Sequence, residues 1–321
     1  MHKIFHKIKS LPIFICLFYV VIFACSVPDN ASDELQMNWQ PVESLNANLP
    51  DGVRVYRGEN KLLPLRAWYV VIDEPHPDIE TRVVASDDRT DNRETVSSFA
   101  HDLGACVVVN GGYFTMNRRP ARHVGLLLTD GKTWQPATPS VRRDTLRYQT
   151  ARAAIGFTAD DEVNITWVTT RNDTHYSWAT PPKNRAGQPA PPLDYSNAQP
   201  WQVRDAVSGG PALLFNKRIQ ITADEEVFFG TSIPKVHPRT AAGKTAEGAL
   251  ILMVVDGRQA ESRGVDLREL ATLMKDAGAV EAINLDGGGS STLVVNDKLI
   301  NRPAGGVLER EVMSALATFC Q

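Results

Sequence analysis

The sequence predicts a strand-rich α+β domain with mixed sheets, few helices and one parallel βαβ unit near its C-terminus. Three observations carry this expectation. Short runs rich in Val, Ile and Tyr recur along the chain, bounded by Gly, Pro, Asn and Asp. Only two stretches repeat their apolar residues at helical spacing. Near the C-terminus, one of those helical stretches lies between two continuous apolar runs, the pattern of strand, crossover helix and parallel strand.

The chain opens with a leader. Lys3, Lys7 and Lys9 precede an apolar run over residues 11–24, which suits a secretory signal core and is short for a transmembrane helix. The run ends Val21-Ile22-Phe23-Ala24-Cys25, which resembles the lipobox of bacterial lipoproteins, so residues 1–24 are expected to be removed and Cys25 lipidated. Residues 25–50 read as a tether, and residues 51–321 as a single domain. The implied location is the bacterial envelope, as an outer-membrane lipoprotein facing the periplasm or the cell surface. The whole chain carries −3. Without the three leader lysines the mature part carries about −6, and no basic stripe is present, which argues against nucleic acid as a partner.

Strands are expected at residues 67–73, 79–85, 105–110, 124–129, 153–158 and 163–169, then at 249–255, 282–285, 292–295 and 313–319. A helix is expected over 94–103, with Val96, Phe99, Ala100 and Leu103 on one face. A second is expected over 266–277, with Leu267, Leu270, Ala271 and Met274 aligned and Gly278 as its stop. Residues 171–200, rich in Pro, Asn, Gly and Thr, read as a long loop that borders a site or covers the surface. Cys106 and Cys320 each end an apolar run; in an oxidising compartment they pair, or they stay as two buried thiols.

In the βαβ reading, the two strands end at Asp256-Gly257 and Asp286-Gly287 and share one sheet edge, where ligands of parallel sheets bind. Neighbouring strands lie roughly 5 Å apart, so the two carboxylates would fall within about 5–9 Å, a separation used in glycosidic cleavage. Asp286 leads into Gly287-Gly288-Gly289-Ser290, whose backbone amides can cradle an anion. Asn110-Gly111-Gly112 and Ser208-Gly209-Gly210-Pro211 repeat the design of an apolar strand delivering a polar residue into a glycine turn. His237 and Arg239 stand two apart, facing one side of an extended chain, and Arg is well shaped to hold phosphate through two bonds.

Together and in this order, Asn110-Gly111-Gly112-Tyr113-Phe114, Ser208-Gly209-Gly210-Pro211, His237-Pro238-Arg239-Thr240, Asp256-Gly257-Arg258 and Leu285-Asp286-Gly287-Gly288-Gly289-Ser290-Ser291 resemble the phosphodiester glycosidase family. The likeness runs from about residue 65 to the C-terminus as one catalytic domain. It implies cleavage of a sugar-1-phosphodiester, of the N-acetylglucosamine-1-phosphodiester kind, at the anomeric carbon, with an envelope glycan as the source. In that reading Asp286 or Asp256 serves the anomeric centre, and His237 moves a proton or orients phosphate. Arg239, with the amides of Gly287, Gly288 and Gly289, holds the phosphate. Asn110 meets a sugar hydroxyl or N-acetyl group, and Gly111, Gly112, Ser208, Gly209, Arg258 and Ser290 complete the binding surface. No cofactor is required. Two alternatives stand beside it: a phosphodiesterase breaking the P–O bond with Asp256, Asp286, His237 and Asn110 on Mg²⁺ or Ca²⁺, and a non-catalytic glycan-binding lipoprotein.

Overall fold

A computed structural model describes His2, residues 35–303 and residues 308–321. Apart from His2, the leader lies outside the described residues, as do Cys25 and the rest of segment 25–34, so the lipoprotein expectation does too.

Three large sheets and a two-stranded hairpin, Ser140–Arg143 with Leu146–Gln149, build the domain. The largest has eight strands, in the spatial order Asn38–Pro41, Val53–Asn60, Leu65–Ile72, Leu250–Val255, Arg239–Lys244, Glu281–Asn284, Ala212–Phe215 and Arg218–Ile219. The second has seven, centred on Val163–Arg171, Arg152–Phe157 and Asp205–Ser208. The third has five, with Val107–Asn110 between Leu293–Val295 and Ser314–Cys320. A large apolar cluster including Val55, Val70, Val109, Ile155, Phe157, Trp167, Leu252 and Ile283 joins the three. Fully burying one such side chain contributes roughly 1.5–3 kcal/mol.

The expected strands and both long helices are present, but the parallel βαβ unit is not. Leu250–Val255 and Glu281–Asn284 do run the same way with a helix between them, yet they are not neighbours. Arg239–Lys244 lies between them and pairs antiparallel to both, with Arg239 opposite Val255 and Ala241 opposite Asn284. Every ladder among the described residues is antiparallel, so the sheet is built of interleaved antiparallel strands. The separation of the two outer strands is therefore two strand spacings, roughly 10 Å.

Thr95 caps the first long helix, Val96–Leu103, accepting from the Ser98 amide at 3.1 Å. Leu103, expected on its buried face, is exposed. The second long helix, Leu267–Asp276, opens with a capping box: the Asp266 carboxylate accepts from the Glu269 amide and the Glu269 carboxylate from the Asp266 amide. Its Leu270, Ala271, Leu273 and Met274 are fully buried.

Part of the expected tether is folded. Asn38–Pro41 forms the edge strand of the large sheet against Val53–Asn60, the short helix Glu43–Asn46 follows, and Leu35 and Met37 are buried. Residues 171–200 cover the surface: Thr174–Trp178 and Ala198–Pro200 extend the second sheet, and Asn184 Nδ2 donates to the carbonyls of Gln149 and Glu225. Cys106 and Cys320 form a disulfide with Cα atoms 5.8 Å apart, which ties the C-terminal strand to the start of Val107–Asn110.

Candidate active site

All three sheets deliver a strand end to one place. Because Arg239–Lys244 runs against its neighbours, its first residue lies beside the last residues of Leu250–Val255 and Glu281–Asn284. The strand Asp205–Ser208 ends in Gly209-Gly210, whose Gly210 amide donates to the Asn284 carbonyl at 2.7 Å. A Cβ on Gly209 would lie 2.4 Å from that carbonyl oxygen, so the approach requires glycine. Val107–Asn110 ends where the Gly111 carbonyl accepts from the Asp286 amide at 3.1 Å.

The resulting cleft, about 190 Å³, is walled by Tyr113, Ser232, Ile233 and His237, by Arg239, Arg258 and Arg310, and by Asp286 with Gly287, Gly288 and Gly289. Asp286 is the one carboxylate among these residues. Its Oδ1 accepts from the Gly287 amide at 2.9 Å. Burial pushes its acid up to about 6, although the positive charge of Arg310 opposes the rise. Three guanidinium groups against one carboxylate make the cleft electropositive in a chain that is negative overall, and field focusing in a cleft favours an anionic ligand.

Arg310 packs on the glycine turn. A Cβ on Gly289 would fall 2.4 Å from Arg310 Nη2, so a larger residue there would push the guanidinium off the turn. Arg258 approaches Gly288, with Nη2 3.3 Å from where a Cβ would stand. Its own backbone is left-handed, φ 59°, a conformation costly for a non-glycine residue and one that gathers at functional sites. Arg258 Nη2 also donates to His237 Nδ1 at 3.1 Å, and His237 Nε2 donates to the Ser232 carbonyl at 2.8 Å. Burial, then the positive charges of Arg239, Arg258 and Lys235, lower the imidazole pKa. With Nδ1 accepting from the guanidinium and Nε2 donating, the ring bonds in its neutral form and both nitrogens are engaged. It positions Arg258 and has no free nitrogen for proton transfer as the site stands.

Several expected residues take other roles. Asn110 is fully buried: its Nδ2 donates to the Asp286 carbonyl at 2.7 Å, and its Oδ1 accepts from Thr240 Oγ1 and the Thr292 amide. It braces the Asp286 loop and does not face a sugar. Arg239 lines the cleft but cannot clamp phosphate through two bonds, because four of its five N–H groups are engaged. Nε donates to the Val265 carbonyl, Nη1 to Asn284 Oδ1, and Nη2 to the carbonyls of Ile233 and Lys235. Burial lowers its pKa to about 10. Ser208 accepts from the Leu126 amide at 3.0 Å, and the Gly112 Cα lies against the Ser208 carbonyl; both belong to the packing behind the cleft, as does Gly111.

Asp256 is the largest departure. It is fully buried and absent from the cleft wall. Its Oδ1 accepts from Asn301 Nδ2 and from the Arg302 amide, each at 3.0 Å, while Oδ2 has no hydrogen-bond partner. Burial pushes its pKa up to about 6. The ligands named for the phosphodiesterase alternative do not converge: among the described residues no three His, Cys, Asp or Glu side chains are placed to hold an ion. The sequence reading gives no role to Tyr113 or Arg310. Tyr113 Oη donates to the Gly210 carbonyl and accepts from Asn284 Nδ2 at 2.7 Å, placing its ring at the cleft. Tyr113 stands inside the Asn110-Gly111-Gly112 motif, a signal that was present; Arg310, in Glu309-Arg310-Glu311, reads as solvated surface.

A family model described as phosphodiester glycosidase matches residues 103–319, more than half of the chain. The chain is 29% identical over 221 residues to mouse N-acetylglucosamine-1-phosphodiester alpha-N-acetylglucosaminidase, and 28% identical over 221 residues to the human protein. These alignments cover 66% of this chain and 36% of each relative, so the chain spans about a third of the length of the curated relatives it matches. Among solved structures, the zebrafish N-acetylglucosamine-1-phosphodiester alpha-N-acetylglucosaminidase catalytic domain, auto-inhibited by its pro-peptide, superposes with a TM-score of 0.60 at 22% identity, covering 89% of this chain and 88% of that one. A hypothetical protein from Synechocystis superposes with a TM-score of 0.59 at 16% identity, covering 85% of this chain and 63% of that one. On the match over residues 103–319, the chain belongs to the phosphodiester glycosidase family of hydrolases.

Proposed function

We propose that this protein hydrolyses sugar-1-phosphodiesters at the anomeric carbon, releasing free sugar and a phosphate monoester. One observation carries the reading: Asp286 is a lone carboxylate in an electropositive cleft, with Arg258 against Gly288 and Arg310 against Gly289 of the turn that follows it. A diester anion seated on the two guanidinium groups and the turn amides presents its sugar to Asp286. The C1–O bond breaks and its electron pair leaves with the phosphate oxygen. Water supplies the new C1–O bond and loses a proton, with the Asp286 carboxylate as the acceptor or as the stabiliser of positive charge at C1. A phosphate monoester leaves readily, so a single carboxylate and no second general acid suffices. N-Acetylglucosamine as the sugar is the proposal that the mouse and human relatives support.

The test is purified protein lacking residues 1–25 against a panel of sugar-1-phosphodiesters. Turnover that disappears in Asp286→Asn supports the reading. Glycan binding without turnover on any member would favour a binding protein.

We also propose export and lipid anchoring at Cys25, which the lipobox-like Val21-Ile22-Phe23-Ala24-Cys25 supports. Cys25→Ser should shift the protein out of the membrane fraction, since a lipid chain binds in proportion to its buried methylenes. A wild-type protein already soluble, beginning elsewhere than residue 25, would remove the lipoprotein reading.

A further inference from the structure

We infer that Asp256 and Asn301 form a positioning pair that sets the height of Arg258 above the Asp286 turn; this rests on the reading of the cleft as a phosphodiester site. Asn301, almost fully buried, bonds two other segments at once. Its Nδ2 donates to Asp256 Oδ1 at 3.0 Å and to the Ser291 carbonyl at 2.9 Å, and its Oδ1 accepts from the Leu293 amide at 2.8 Å. Ser291 and Leu293 close the turn that begins at Asp286. Asp256 opens the loop that carries Arg258 two residues later, and the Ser262 hydroxyl holds its carbonyl at 2.6 Å. Gln259, next to Arg258, donates to the Arg302 carbonyl at 2.7 Å.

The Arg258 loop and the Asp286 turn thus share no ladder pairing, yet both are pinned to Asn301, and the Arg258 loop to residue 302 as well. Arg258 needs such a pin because its left-handed backbone is held against its own preference. Asp256 fits the role of strut: all its solvent access is gone, and the oxygen in use serves the Asn301 side chain and the Arg302 amide. A nucleophile would need an open face toward the cleft, which Asp256 lacks.

The positioning pair differs from a catalytic Asp256 in what a conservative change does. Asp256→Asn keeps an oxygen for both donors, so it should retain at least about a third of wild-type kcat/KM. Asp256→Ala and Asn301→Ala leave buried donors unpaired. Each should lower kcat/KM on a sugar-1-phosphodiester by about tenfold or more, mostly through KM. In an Arg258→Ala background, Asn301→Ala should change KM less than about twofold, since the pair acts through Arg258.

Two results would overturn the inference: Asp256→Asn losing as much activity as Asp256→Ala, or Asn301→Ala having its full effect without Arg258. Should Asp256→Ala not fold, Asp256→Asn against Asn301→Ser draws the same distinction. If the wild type turns over no sugar phosphodiester, the functional reading fails by itself. The pair is then read from inorganic phosphate affinity, which Asn301→Ala should weaken and Asp256→Asn should spare; equal weakening by both would reject it.

Discussion

Arg258 Nη2 donates to His237 Nδ1 at 3.1 Å, and that bond turns the histidine from a proton carrier into a support for a guanidinium. With Nε2 already donating to the Ser232 carbonyl, the imidazole is held in one tautomer. His237→Ala should therefore raise KM for a charged substrate, by about 10-fold for the loss of one bond to a charged group, and leave the shape of the pH–rate profile unchanged. Loss of a limb in that profile would restore His237 as an acid or base.

On the proposed mechanism, Asp286 should govern the acidic limb. Its acid is pushed up to about 6 by burial, so the carboxylate is lost below that pH. Activity should fall about tenfold per pH unit below about 6 and level off above it. Asp256 titrates in the same range, so the limb should be measured in Asp256→Asn, where it should persist. Its disappearance there would assign the limb to Asp256.

The same shift has a consequence for stability. A carboxyl whose folded pKa lies above its unfolded value favours folding below pH 3.8, and that advantage is lost as pH rises to about 6. Asp286→Asn should thus become more stable than wild type as pH rises through that window, by at most about 3 kcal/mol. Tm measured from pH 4 to pH 7 checks this. A constant difference across the range would mean that Asp286 is not buried at its site.

Arg239 and Arg310 separate bracing from phosphate binding. Arg239→Lys strips carbonyls at Val265 and Ile233 and should lower Tm together with activity on any substrate. Arg310→Lys should leave Tm nearly unchanged and raise KM for phosphodiesters by about 10–100-fold, the cost of losing a charged hydrogen-bonding pair. A stable, selectively phosphate-defective Arg239→Lys would reverse the assignment.

The two Asp-Gly strand ends show why some of this was legible and some was not. The sequence pattern located the glycine turns, both long helices and the motif set of the family, because each is a local signal of period or turn chemistry. It also placed Asp256 and Asp286 on one sheet edge, which their strand directions support. It could not say that Arg239–Lys244 slots between their strands, since antiparallel pairing over more than thirty residues leaves no local mark. Nor could it separate two identical-looking carboxylates, one of which is covered by Asn301 arriving from 45 residues away. Arg239 misled for the same reason, its donors being taken by the carbonyls of a neighbouring loop.

The disulfide gives a prediction independent of chemistry. Cys106 and Cys320 are separated by 214 residues, so their bond restricts the unfolded chain strongly. Cys106→Ser with Cys320→Ser should cost about 2–5 kcal/mol and lower Tm by roughly 5–15 °C. Wild type should show the same loss in reductant, and the double variant should not respond to reductant. A wild-type Tm indifferent to reductant would contradict the bond's contribution.

The central claim is that the bond broken is C1–O and not P–O. Hydrolysis of a sugar-1-phosphodiester in ¹⁸O-water, read by mass spectrometry of both products before the free sugar exchanges its anomeric oxygen, measures this directly. The expected result is ¹⁸O in the released sugar and none in the phosphate monoester. Label in the phosphate would mean attack at phosphorus, and would contradict Asp286 as the group serving the anomeric centre.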